Sequence, residues 1–505
     1  MQSMPEGAAT VLDAGRVQDF CNRRWDEQLL PLLQAYIRVP AKSPAFDPDW
    51  ESRGLLDRVV DDAAAWARRQ PLPGLQVEVL RAPGRTPLIY FELPARGCDA
   101  DDAVFFYGHL DKQPEFEGWR AGLGPWEPVY DGTRLYGRGG ADDGYAIYAA
   151  ITALQALHEQ GCARPRCVGV IETCEESGSH DLPHYLEGLK PRIGQVGLVV
   201  CLDSGAGDYE RLWLVSSLRG YCGGTLEVQV LEEGAHSGDA GGIVPSSFRV
   251  LRNVLDRLED SATGRLLPPA LHCDVPADRL AQTREAARIL GEQAWKRFRW
   301  HCGEDGQPML PVTTDPEQAL LNRAWRPSLA VIGAEGLPPR QTAGNVVRPR
   351  TAFRLSLRLP PLVDSAKALA DVQRVLEDAP PYRAGVRFVP DRGHATGWNA
   401  PTFAPWLEEA LHAASRACFD GHGFASIGQG GTIPLMGLLG SAYPDAQFMA
   451  CGVLGPHANA HGPNEFLHVP YARRLTACLA MTVSAHAQAL IASHAGARPP
   501  SNRHA

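Results

Sequence analysis

Five short stretches of the chain carry side chains able to hold a metal ion or move a proton. In Tyr107-Gly108-His109-Leu110-Asp111, His109 and Asp111 stand two residues apart. On an extended strand such side chains start on the same side. A ligating imidazole commonly gives its other N–H to a carboxylate, a part Asp111 could play. Residues 137–144 (GRGGADDG) place Asp142 and Asp143 behind glycines that let backbone pass close to a ligand; either Asp could equally cap a helix. Glu175-Glu176-Ser177-Gly178-Ser179 sets two carboxylates side by side, suited to a division in which one binds metal and the other moves protons. Cys201-Leu202-Asp203-Ser204 supplies one more carboxylate. Residues 455–465 (GPHANAHGPNE) bring His457 and His461, with Pro456, Gly462 and Pro463 arguing for a loop rather than a helix. The zincin motif H-E-x-x-H is absent, because His158-Glu159 is followed by Gln160 and Gly161. Taken singly, each stretch also reads as a turn, a cap or a solvated acidic loop.

The flanking pattern says what must position these groups. Residues 16–39 and 52–70 read as helices, and 75–81, 87–93 and 103–111 as strands bounded by Gly, Pro and Asp. The run 103–111 is almost wholly apolar, as a strand buried on both faces would be. A helix over 143–160 follows, then strands at 166–172 and 196–202. Strand, long helix, strand predicts a mostly parallel α/β sheet, whose ligands sit at the C-terminal strand ends. After Gly220 the style changes. Strand 223–232, helix 245–259, strands 328–333 and 350–358, helix 364–378 and strand 384–390 follow the β-α-β-β-α-β order of a ferredoxin-like sandwich. The segment 262–325 within it is partly helical and matches no simple pattern. From about 400 the α/β style returns: helix 402–418, the Gly-rich turn 428–434, strand 446–453 and helix 470–490. The expected organisation is a catalytic domain in two parts, 1–218 and 396–492, interrupted by an inserted α+β lid or dimerisation domain over 219–395, with a frayed tail at 493–505.

Composition narrows the classes. The chain has 505 residues, 44% of them hydrophobic, enough for a core and against a disordered or fibrous protein. Net charge is −9, from 49 basic and 58 acidic residues. Only five residues are Lys, and no dense basic run exists, so no nucleic-acid partner is expected. The twelve Cys include no C-x-x-C, which speaks against a zinc ribbon, a thioredoxin-type site or a disulfide scaffold and for a reducing compartment. The first twenty residues lack the pattern of a signal peptide, and no uninterrupted apolar run reaches the roughly 18 residues of a membrane span. The expectation is a cytoplasmic protein with no membrane partner.

Together, in this order and spacing, YGHLDKQP (107–114), LYGRGGADDG (135–144), EESGS (175–179), LDS (202–204), HSG with Gly241-Gly242, and AHGPNE (460–465) resemble a known family. It is the dinuclear zinc peptidase family of carnosinase-type cytosolic dipeptidases, glutamate carboxypeptidase, aminoacylase, succinyl-diaminopimelate desuccinylase and acetylornithine deacetylase. The dipeptidase branch looks most similar. The resemblance implies that His109, Asp142, Glu176, Asp203 and His461 hold two metal ions, with Asp142 bridging, Asp111 orienting His109 and Glu175 as general acid/base. It implies that His236, in the inserted domain, contacts the substrate or its oxyanion, often from a partner subunit, and hence a homodimer. Arg358 would bind the substrate's C-terminal carboxylate, Thr432 in GQGGTIP would sit near the same group, and Asn345 lies where the family's lid reaches the site. His457 is the rival of His461, which stands in the family's H-x-x-N-E context. One departure is Asp142-Asp143-Gly144-Tyr145 where the family's dipeptidases read D-D-K-G.

The charge arithmetic agrees with that ligand set. Two divalent ions are balanced by Asp142, Glu176 and Asp203 together with a bridging hydroxide, leaving Glu175 free to accept a proton. Nitrogen and oxygen donors without a thiolate suit Zn²⁺, with Mn²⁺ or Co²⁺ as alternatives. The expected activity is hydrolysis of a peptide bond in small peptides with a free C-terminal carboxylate; an N-acyl-amino-acid deacylase on the same site is the alternative. No G-x-S-x-G or P-loop Gly-Lys pair supports a serine hydrolase or a nucleotide-binding enzyme.

Overall fold

The fold comes from a computed structural model, described for residues 11–98 and 102–497. The chain forms two compact units. One comprises the described residues of Met1–Val215, Pro401–Ser426 and Leu439–Ala505, the other Ser216–Ala400 and Ile427–Leu438.

The first unit is built on a six-stranded sheet in the order Gln76–Leu80, Leu88–Leu93, Arg166–Glu172, Ala103–His109, Val196–Cys201, Gln447–Ala450. The last four strands are mutually parallel, and the first two join antiparallel at one edge. Ala103–His109 is buried along its whole length, as its apolar run predicts. Gly108 has a steric reason to be glycine: a Cβ there would collide with Ala146 Cβ and the Asp143 carboxylate, so the next helix packs directly on the strand. That helix, Ala146–Glu159, is buried from Ala146 to Leu157 and packs on the long final helix Val469–Ala497.

The amino-terminal helical stretch is one rod in three pieces: Ala14–Arg24, a wide π turn at Trp25–Leu29, and Leu30–Ile37. Trp25 is buried there and donates its indole N–H to Thr476 at 2.9 Å. The stretch Val469–His494 holds an 18-residue window of mean hydropathy 1.5 and is long and apolar enough to cross a membrane by length and composition. Of that window 61% is buried within the fold, as in the core helix of a folded unit. The same helix carries residues 493–497, so that part of the expected tail is helical; residues 498–505 lie outside the described residues.

The second unit has a four-stranded antiparallel sheet, ordered Ser328–Glu335, Arg350–Leu359, Gly220–Gln229, Gly385–Pro390. In chain order that is 2-3-1-4, the arrangement of a ferredoxin-like sandwich. Helices Ser247–Leu255 and Ser365–Glu377 bury Val250, Val254, Val372 and Leu376 against Leu226 and Leu357 of the sheet. Side chains of Ser246 and Asp364 cap these helices, accepting from Arg249 N and Lys367 N. The segment 262–325 contributes helices Ala277–Leu290 and Pro316–Ala324, packed around Leu321 and Trp325. Residues 427–438, read from sequence as part of the returning catalytic domain, fold with this unit. The physical reason is hydrogen bonding: Arg219 N donates to Gln429 O, Arg323 to Gly428 O and Thr432 to Arg219 O.

Candidate metal centre

The C-terminal ends of the parallel strands gather the polar residues. His109 closes its strand, with Nδ1 facing Asp111 at 3.1 Å from the backbone oxygen and 3.4 Å from Oδ1. This turns Nε2 the other way, to 3.4 Å from Asp142 Oδ1 and 3.8 Å from Asp203 Oδ1. Asp142 lies in the turn Gly140–Gly144 ahead of the buried helix, and its peptide bond to Asp143 is cis. Its second oxygen, Oδ2, is 3.1 Å from His461 Nε2, which is itself 3.3 Å from Glu176 Oε2. Asp142 therefore presents one oxygen to each histidine. Ligand atoms of His109, Asp142 and Glu176 lie within 4.8 Å of one another, as do those of His109, Glu175 and Asp203. His461, not His457, approaches this group; it stands on a loop where His457, Asn459, His461 and Asn464 all have positive φ.

Asp111 serves two neighbours. Besides facing His109, it accepts the backbone N–H of Glu175 at 3.2 Å and of Glu176 at 3.0 Å, which fixes the turn that carries both carboxylates.

The electrostatics are unbalanced. Asp142, Asp203, Glu175 and Glu176 share one place with two imidazoles and no Lys or Arg in ion-pair contact among the described residues. Burial, then the charges of Asp203 and Glu176, push Glu175 well above the usual carboxylate range. Burial and Asp142 do the same for Glu176. For Asp142 burial works in the opposite sense, but the imidazoles of His109 and His461 beside it outweigh burial and hold this carboxyl low. Buried His109 Nε2 has no hydrogen-bond partner. Carboxylates this close cannot all ionise without added positive charge. The oxygen and nitrogen donors, and the unpartnered nitrogen aimed among them, fit a pair of divalent cations.

Three neighbours escaped the sequence reading. Gln113 donates Nε2 to Glu176 Oε2 at 2.5 Å; it lies inside the quoted YGHLDKQP run, but only the fold shows what it touches. Asp143, weighed only as a helix cap, accepts the His109 backbone N–H at 3.3 Å. Glu465 receives Arg138 Nη1 at 2.6 Å and Gly139 N at 2.9 Å, tying the Gly-rich turn to the His461 loop. A further group, Cys174, His180 and Asp181, has metal-ligand residue types, but Asp181 is taken up by Arg85 and Thr86.

The remaining candidates belong to the second unit. Arg358 Nη1 donates to Thr432 Oγ1 at 3.3 Å, so these two come together. His236 pairs in register with Val346, and the next residue, Ser237, donates its N–H to Asn345 O at 2.9 Å, so His236 and Asn345 are also neighbours.

The model of Peptidase family M20/M25/M40 matches residues 105–485. The cysteinylglycine-S-conjugate dipeptidase of Corynebacterium striatum is 28% identical over 384 residues, 73% of this chain and 79% of that protein. The beta-Ala-His dipeptidase of Rattus norvegicus is 28% identical over 280 residues, and the match spans 54% of this chain and about half, 55%, of the relative. The solved structure of the dipeptidase Dug1p from Saccharomyces cerevisiae shares the fold with a TM-score of 0.72 at 21% identity, over 94% of this chain and 99% of that one.

Proposed function

The chain belongs to peptidase family M20/M25/M40 and is a metallopeptidase of dipeptidase type, and from that premise we propose that it hydrolyses dipeptides or short peptides ending in a free carboxylate. The observation that carries the reading is the carboxylate-rich pocket around the unpartnered His109 Nε2. His109, Asp142, Glu176, Asp203 and His461 would hold two divalent cations, Zn²⁺ best suited to the donors and Mn²⁺ or Co²⁺ next. Such a pair would lower the pKa of a water and polarise a scissile carbonyl.

Glu175 is surplus to the charge needed to hold the cations. Its half-buried carboxylate, with raised proton affinity, takes the proton of the attacking water and returns it to the leaving amine. Asp111 keeps His109 Nε2 pointed inward and Glu175 in place. Arg358 and Thr432 hold the substrate carboxylate, for which a planar guanidinium fork is suited. His236 and Asn345 contact the substrate. The chain acts as a homodimer, a reading supported by the strand Ser328–Glu335, which edges its sheet with Val331 48% and Ile332 61% exposed. Twelve scattered cysteines with no C-x-x-C pair support a reducing, cytoplasmic setting.

The test is a substrate panel run before and after chelation. Dipeptides are expected to be cleaved, N-acetyl and N-succinyl amino acids much less, and activity is expected to vanish on chelation and return with Zn²⁺ or Mn²⁺. Full activity after exhaustive chelation refutes the mechanism, and faster turnover of the N-acyl substrates would make the enzyme a deacylase.

A further inference from the structure

In the second unit three guanidinium groups collect at one end of the antiparallel sheet. Arg358 pairs in register with Tyr221 on one side and Ser328 on the other, and its guanidinium carbon lies 5.5 Å from the Tyr221 ring centroid. Thr432 Oγ1, which accepts from Arg358, donates onward to the Arg219 carbonyl at 2.6 Å. The Arg219 guanidinium donates to Ser328 Oγ at 3.0 Å and to Gly430 O at 3.4 Å. Arg323 Nη2 donates to Gly428 O at 3.1 Å, while its buried Nε has no acceptor. Two arginines thus strap the carbonyls of Gly428 and Gly430 in the segment that delivers Thr432.

A neutral donor could bond those carbonyls without desolvating a charge. The charges here are also unrelieved: among the described residues none of the three has a carboxylate partner. Burial lowers the proton affinity of each, and after burial the neighbouring guanidiniums act, Arg358 on Arg219, and Arg297 and Arg219 on Arg323. Half-buried like charges repel unless an anion sits among them.

We propose that Arg219 and Arg323 are positioning and specificity residues: they fix the Gly428–Thr432 loop so that Thr432 and Arg358 meet one anionic group, and their charge favours a C-terminal carboxylate while disfavouring a cationic side chain on the same substrate residue. This rests on Arg358 and Thr432 being the substrate's carboxylate clamp.

The experiment is steady-state kinetics of the full-length, metal-loaded enzyme on Ala-Gln and Ala-Lys. Arg358→Ala comes first: a KM for Ala-Gln that does not rise removes the clamp itself. With the clamp standing, Arg219→Gln and Arg323→Gln should each raise that KM about tenfold with kcat held within about twofold, the signature of lost ground-state binding. They should also narrow the kcat/KM preference for Ala-Gln over Ala-Lys by about fivefold, a relative change that plain loss of structure does not produce. Arg219→Lys and Arg323→Lys keep the charge and lose the fork, so they should raise KM yet preserve the wild-type preference; they carry the test even where a Gln variant fails to fold. An unchanged KM in the Lys variants, or a wild-type preference in folded Gln variants, overturns the proposal.

Discussion

Two buried charge clusters in the first unit stand in opposite states. Around His109 the carboxylates outnumber every protein cation, and an imidazole nitrogen is left without a partner. Around Glu465 the carboxylate is paired on both oxygens: Arg138 gives one N–H to it at 2.6 Å and another to Gly462 O at 2.8 Å, and Gly139 N–H donates to its second oxygen. Both clusters draw on the Gly-rich turn 137–144 and on the loop that carries His461. The difference is that a satisfied cluster holds loops together, whereas an unsatisfied one awaits a ligand of opposite sign. The arginines beside Arg358 show the same imbalance with the sign reversed.

The largest effects are expected at the residues that would hold the cations. Asp142→Ala should lose bound metal and leave activity at background, because Asp142 faces both His109 and His461. Metal analysis beside the assay checks this; a variant that keeps both metals and turns over normally would deny Asp142 its place. Glu175→Gln is the next largest. It should retain metal yet lower kcat by about 10²–10⁴-fold, the range that general acid–base catalysis supplies. Loss of metal instead would make Glu175 a ligand.

The satisfied cluster should answer with stability rather than turnover. Arg138 and Glu465 are 1% and 0% exposed, so Arg138→Met strands a buried carboxylate. Breaking such a pair from one side costs about 3–5 kcal/mol, read as a lowered denaturation midpoint. Pairing it with Glu465→Gln should recover part of the loss. If Arg138→Met is neutral for stability, the two clusters do not differ as argued.

These clusters also mark how far the sequence could be read. Apolar runs ending in His109, near Glu175 and near Asp203 announce strands whose C-terminal ends bear ligands, because burial on both faces leaves polar residues only where the strand stops. The order of the second unit's strands and helices was equally plain from alternation and caps. Contacts between distant residues were not. Arg219 and Arg323 are 104 positions apart in the chain and approach only because the sheet and the Gly428–Thr432 loop bring them together. The helix Ala277–Leu290 buries Arg279, which bonds Asn399 Oδ1 at 2.8 Å and Ala400 O, so the polar/apolar pattern that reveals most helices misleads there. The π turn at Trp25–Leu29 leaves the apolar spacing nearly helical and so escapes a periodicity search.

A third kind of burial, of a titratable group kept neutral, sharpens the comparison with the smallest effect. His486 is 3% exposed on the final helix and stacks on Trp406 at 4.8 Å, and its Nδ1 has no partner. Burial lowers its pKa from 6.5 to about 4. The folded state therefore binds fewer protons than the unfolded chain between those values, so stability rises with pH across that window. The contribution is complete above pH 6.5, drains away as pH falls toward 4, and amounts to at most about 3 kcal/mol. His486→Phe keeps the stacked ring and removes the titration. Between pH 7.5 and 5 the wild type should lose more unfolding free energy than this variant, the metal pocket's own pH dependence being common to both. Equal losses would mean that His486 is protonated as readily in the fold as outside it.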